Sequence, residues 1–158
     1  MKTYVTKNKY NELRQRLLAL EKDYRSFADT ELAEAVSFGD IRENAEYDSA
    51  QWRQGHMAAL IAELHSVVGS QIVFIDDLRI DPSAVSIGTE VTLREVHSGQ
   101  LERYTILGPH ESDAANGVIS YLAPFAKQLI RKKIGAEITV GNLIYKIQCI
   151  ALAQFSKP

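Results

Sequence analysis

The feature that most constrains this fold is a pair of heptad seams in the first half of the chain, separated by a glycine. Tyr10, Leu13, Leu17, Leu20, Tyr24 and Phe27 recur at spacings of 3, 4, 3, 4 and 3. Charged residues such as Glu12, Arg14, Arg16 and Glu21 fall off that stripe. This is the a/d pattern of a helix with one packing face. Thr6 is placed to cap its start. The pattern breaks at Asp29-Thr30 and resumes out of phase through Leu32 and Ala35 or Val36, as expected of a kink or stutter. Gly39 suits the left-handed position that ends a helix. A second seam follows through Tyr47, Ala50, Gln54, Met57, Ile61, Leu64 and Val68, and Gly69-Ser70 stops it. Two seams in one chain with a tight connection predict an antiparallel helical hairpin. Helices of this length make an arm of roughly 40–45 Å. Self-association as a dimeric coiled coil is the competing use of a heptad, but an internal hairpin satisfies both seams, so a monomer is expected.

The second half changes period. Gln71–Ile75 is a short apolar strand, and Asp76-Asp77 through Pro82-Ser83 reads as a linker. Glu90–Val96 alternates with period 2, Ser98-Gly99 turns, and Arg103–Leu107 answers it. Gly108-Pro109 and Asn116-Gly117 are turn signals, and Val118–Leu122 reads as a strand. Pro124 opens a short helix as its first residue. Glu137–Val140, Gly141-Asn142 and Leu143–Ile150 form a last hairpin. The expectation is an α+β chain: residues 1–76 form a helical hairpin whose connection is residues 39–47, and residues 77–158 form an antiparallel sheet with one helix.

Charge excludes some partners. Residues 1–76 carry 9 Lys/Arg against 12 Asp/Glu, a net of -3, and residues 77–158 carry 9 against 8, a net of +1. Neither half has the basic excess of a general nucleic-acid binder. Cys149 is the only cysteine, which rules out an intrachain disulfide, and its apolar strand suggests a buried thiol. No apolar run approaches the roughly 18–20 residues of a membrane span, and Met-Lys-Thr-Tyr does not begin a signal peptide. No membrane association is expected, and the cytoplasm is the expected location. His56 and His65 are nine residues apart and His97 and His110 sit near turns, so no zinc-ligand spacing is present. No phosphate-binding loop or nucleophile–base set is visible.

The connection itself reads Gly39-Asp40-Ile41-Arg42-Glu43-Asn44-Ala45-Glu46-Tyr47. Asp40 and Glu43 stand in the spacing of a capping box. In that arrangement the Asp40 carboxylate accepts from the Glu43 N–H, and Glu43 accepts from the Asp40 N–H. Acids in a first turn also favour the helix dipole. The same two carboxylates, at the end of a long arm, could instead be delivered into another protein's site. Tyr47 lies on the seam and is expected to pack against the other helix.

These residues resemble the bacterial transcript cleavage factors GreA and GreB. The motif at 39–47 is similar to the family's tip signature, G-D-[LI]-[KR]-E-N-A-E-Y. Ala123-Pro-Phe-Ala-Lys-Gln-Leu-Ile130 is similar to a second family element, and Tyr4-Val-Thr6 with Leu13 fits the family's start. The resemblance spans nearly the whole chain and implies an N-terminal coiled coil and an FKBP-like C-terminal domain. It implies bacterial RNA polymerase as the partner, with the coiled coil in its secondary channel and the nascent RNA 3′ end at the tip. On that resemblance Asp40 would help hold a Mg²⁺ of the polymerase active site, and Glu43 would orient or activate water. The chain would have no cofactor of its own and would be no enzyme by itself, stimulating the polymerase's cleavage of backtracked RNA. Arg42, Asn44, Tyr47 and Arg53 would contact RNA or polymerase. Lys127, Arg131, Lys132 and Lys133 are either a solvated helix end or a docking contribution.

Two departures from the family matter. Near the tip, where the family often carries cations, only Arg42 and Arg53 remain, which predicts a weak grip on RNA and a factor nearer GreA than GreB. Gln128 and Arg131 stand where the family commonly has small residues, and Ala136 where an acid is usual. Two other readings stay open: a secondary-channel regulator that inhibits without cleaving, and an FKBP-like folding helper whose arm binds clients. No isomerase pocket is identifiable in the sequence, and fold alone does not carry function.

Overall fold

The computed structural model describes residues 2–30, 33–34 and 45–154. Strand β1 (Lys2–Val5) leads into helix α1 (Lys7–Asp29), and helix α2 is Ala45–Val68. Then come β2 (Gln71–Phe74), a 3-10 turn at Ile75–Asp77, β3 (Thr89–Glu95), β4 (Leu101–Leu107), β5 (Val118–Ser120), α3 (Pro124–Leu129), β6 (Glu137–Val140) and β7 (Leu143–Leu152). Contacts divide the chain into two units, Tyr10–Ser70 and Met1–Lys9 with Gln71–Pro158.

In the helical unit the two expected seams meet. Leu13, Leu17 and Leu64 are buried together, with Leu20, Ile61, Val67 and Val68 packed against them. Nearer the end of α1, Phe27 and Ala50 are buried with Tyr47 against them. Early α1 therefore meets late α2, and late α1 meets early α2, which makes the pair antiparallel. Gln54, the one polar seam member, donates from Nε2 to the Tyr24 hydroxyl at 3.4 Å, so the seam tolerates it. The break expected at Asp29-Thr30 is where α1 ends, and there the Thr30 hydroxyl donates to the Ser26 carbonyl at 2.7 Å. A side chain that bonds back to the previous turn competes with helix propagation.

The other unit holds two sheets. β1 and β2 pair in parallel, Tyr4 opposite Val73. The larger sheet has the order β5-β4-β3-β7-β6. The expectation of an antiparallel sheet needs correction here, because β4 and β5 run parallel while the other neighbours run antiparallel. The residues between β4 and β5 form two short 3-10 turns, at Pro109–Glu111 and Ala114–Asn116, which turn the chain back to start β5 in the same direction. Helix α3 packs Ala126 and Leu129, both fully buried, against Val91, Leu93, Ile106, Ile138 and Ile147. Burial of each such Leu or Ile contributes about 1.5–3 kcal/mol relative to exposure.

Two further expectations change. Asp76-Asp77 is tied down rather than a loose linker. Ile75 is fully buried, Asp76 Oδ2 accepts from the Lys7 N–H at 2.7 Å, and Asp77 pairs with the Lys7 ammonium. The contact boundary falls at Ser70/Gln71, before the expected Asp76/Asp77, because β2 pairs with β1. Cys149 is exposed, where a buried thiol was expected. Thr92 pairs with Cys149 but Leu93 pairs with Ile147, so Gln148 is an extra residue in β7. This bulge shifts the two-residue alternation by one, turning Cys149 outward and Ile150 inward.

Candidate functional site

The site region begins where the two seams end. Ala45 and Tyr47, the last part of the sequence motif, lie in the first turn of α2. Tyr47 is half-buried against Phe27 and Ala50, as its seam position requires, and its hydroxyl accepts from Gln51 Nε2 at 2.9 Å. Arg53 is exposed and holds its guanidinium over the Phe27 ring, 5.8 Å from the centroid. That contact draws on the ring's negative face. Asp40, Arg42, Glu43 and Asn44 lie outside the described residues.

One neighbouring side chain was not expected. Trp52 is 72% exposed and stacks on His56, with centroids 5.4 Å apart and planes 3° from parallel. Periodicity assigns it no role, because it falls off the seam. The available signal was that the chain's only tryptophan occupies an off-seam position five residues past the motif.

The basic residues of the second unit gather at the end of α3. Lys127, Arg131 and Lys133 are exposed, and Lys132 is half-buried. Arg131 has φ 71, the only non-glycine residue with positive φ among those described. Its backbone is held there: the Arg131 N–H donates to the Val85 carbonyl at 2.8 Å, and the Val85 N–H donates to the Lys132 carbonyl at 2.9 Å. A left-handed non-glycine residue costs about 1–2 kcal/mol, and the two backbone bonds to a buried residue fix it. This accounts for why a small residue would be easier at this position.

Elsewhere two acids, Glu95 and Glu102, serve the fold. Glu95, buried at the end of β3, accepts from the Ser98 and His97 N–H groups at 2.5 and 2.8 Å and closes the β3–β4 turn. The hydrogen bonds from Ser98 and then His97 lower its pKa to about 2. Tyr104 and Tyr145 both donate to Glu102, at 2.6 and 3.3 Å. Burial, and then the bond to Glu102, push the Tyr104 phenol up to about 12. Among the described residues no group of His, Cys, Asp and Glu is arranged to hold a metal, and no helix is long and apolar enough to cross a membrane.

A helical hairpin followed by a mixed sheet with one helix defines a two-part α+β protein, and comparison with known proteins places it. Residues 3–72 match the family model for the transcription elongation factor N-terminal domain, and residues 80–150 match that for the GreA/GreB C-terminal domain. The chain belongs to the GreA/GreB family of transcription elongation factors. It is 36% identical over 150 residues to transcription elongation factor GreA of Nautilia profundicola, covering 92% of each chain. It is 39% identical over 125 residues to GreA of Nitratidesulfovibrio vulgaris, covering 76% of this chain and 77% of that one. Among solved structures, GreA factor homolog 1 of Thermus thermophilus aligns at 18% identity over 96% of this chain and 99% of that one, with a TM-score of 0.45.

Proposed function

We propose that this chain inserts the connection of its helical hairpin into the secondary channel of bacterial RNA polymerase and stimulates cleavage of backtracked nascent RNA. The observation that carries the reading is the nine-residue motif at 39–47, set between the paired ends of two antiparallel helices. Asp40 and Glu43 offer hard carboxylate oxygens, the donor type Mg²⁺ takes. Two carboxylates are too few to enclose the ion, which fits a Mg²⁺ shared with the polymerase active site. A Mg²⁺ held there would polarise the phosphodiester and lower the pKa of bound water. Asp40 would contribute to its ligand set, and Glu43 would orient the attacking water and accept its proton. Arg42, Asn44, Tyr47 and Arg53 would position the RNA 3′ end against the polymerase. Lys127, Arg131, Lys132 and Lys133 would meet acidic surface at the channel rim. The factor completes another protein's catalytic centre and works as a monomer.

The test is RNA cleavage in a stalled, backtracked elongation complex with the cognate polymerase. Wild-type protein is expected to release short 3′ fragments promptly. Glu43→Ala should lower the rate about 10²-fold or more, the scale of a lost general base. Asp40→Asn keeps an N-cap acceptor but loses the charge, so it separates capping from ion binding. Full cleavage by both variants would refute the assignment. One observation favours a second reading. With so few cations near the motif, the chain could occupy the channel and block it. Polymerase binding without any RNA shortening by the wild type would establish that inhibitor.

A further inference from the structure

We infer that the exposed face of α2 beside the motif is a stacking platform for an unpaired RNA base, centred on Trp52. The inference rests on the proposed function, since the strand that would reach this face is the nascent 3′ end. Tryptophan is on average a highly buried residue. Here it is 72% exposed, and it is the only large apolar side chain of α2 so exposed among the described residues. It does not stand alone, because His56, one turn on, lies parallel to it with planes 3° apart. Residues at i and i+4 face each other on a helix, so α2 itself fixes the pair.

The surroundings select the ligand. Trp52 shares a shallow groove of about 480 Å³ with Asp48, Ser49 and Arg53. Among the described residues, every neighbour of Trp52 in the groove is polar or charged. A flat aromatic face beside hydroxyl, carboxylate and guanidinium groups suits a single-stranded base. The ring stacks on the base, Ser49 and Asp48 reach its edge or a 2′-hydroxyl, and Arg53 lies near the phosphate. Trp52 is five residues beyond Tyr47, about 7.5 Å along the helix axis. A strand ending at the motif passes within one or two nucleotides of it. Stacking would replace part of the grip that the missing cations would otherwise give.

Since Trp52 is the chain's only tryptophan, its fluorescence reads the site directly. The full chain is titrated with a short single-stranded oligoribonucleotide, and separately with an abasic sugar-phosphate strand of the same length. Saturable quenching by the first and none by the second is expected, with weaker binding by His56→Ala. No quenching, or equal quenching by the abasic strand, overturns the platform. In the backtracked complex, Trp52→Ala should raise the factor concentration needed for half-maximal cleavage about tenfold, on the scale of one lost base stack. Its rate at saturation should be unchanged, and Trp52→Phe should recover most of the loss. If cleavage needs Glu43 but is indifferent to Trp52→Ala, the platform fails while the proposed function stands. If the wild type does not cleave, that function fails and the titration decides the platform alone. Weakened binding of Trp52→Ala to polymerase free of RNA would place the indole on a protein surface and overturn the inference.

Discussion

Gly108→Ala should destabilise the sheet-bearing unit by about 3 kcal/mol, for a purely steric reason. Gly108 has φ -72 and ψ 167, a conformation any residue adopts, so the substitution brings no dihedral strain. The added Cβ would lie 2.1 Å from the Tyr4 carbonyl oxygen, 3.1 Å from its carbon and 2.6 Å from Glu111 Oε2. Real Cβ contacts essentially never fall below 3.0 Å, so the Tyr4 carbonyl must retreat by about 0.9 Å. Tyr4 sits in the middle of β1 opposite Val73, and two residues on the Thr6 N–H donates to Glu111 Oε1 at 2.6 Å. Moving the carbonyl therefore strains the β1–β2 pair and the Thr6–Glu111 bond together. Glu111 Oε2 is buried with no hydrogen-bond partner among the described residues, and nothing there compensates its displacement. Overpacking costs about 1–3 kcal/mol. The upper end applies because backbone must yield rather than a side-chain tip. For a unit of about 100 residues this lowers Tm by roughly 12–24 °C. Scanning calorimetry measures the shift, and amide exchange should show lost protection in β1 and β2 first. A variant that melts with the wild type, with β1 still protected, would refute the reasoning.

Two other substitutions test the fold. Gly55→Ala has open space around its new Cβ and lies inside α2, so it should stabilise the helical unit by about 0.5–1 kcal/mol, read as a higher denaturant midpoint. Glu95 has a folded pKa lowered to about 2 from 4.5. Its contribution is fully present above pH 4.5 and is lost as pH falls toward 2. Glu95→Gln should therefore lower Tm at pH 7, and the gap to wild type should narrow steadily between pH 4.5 and 2. A gap that does not change with pH would show that the charge on Glu95 is not what closes the turn.

The sequence by itself determined the helical hairpin, because the information is local. Each seam repeats a 3/4 spacing that only one helix face can satisfy, and every described residue of both seams is buried or half-buried, while Leu32, Ala35 and Val36 lie outside the described residues. Turn chemistry was equally legible. Gly99, Gly117 and Gly141, read as turn residues, all take positive φ. The motif at 39–47 could be read for its chemistry by resemblance, and Tyr47 for its packing by its place on the seam. Other features depended on contacts between residues far apart in the chain. β1 exists because Lys2–Val5 finds Gln71–Phe74, a pairing across about 69 residues that no periodicity announces. The direction of β5 was set by two 3-10 turns, not by its own three residues. A single extra residue, Gln148, reversed the faces of Cys149 and Ile150. Arg131 is left-handed because Val85 holds its backbone from another segment. Trp52 gained its meaning only once the seam was packed and the indole remained in water beside His56. Local periodicity fixes which face of an element is buried, while register, bulges and the partners of off-seam residues are properties of the assembled chain and appear only in three dimensions.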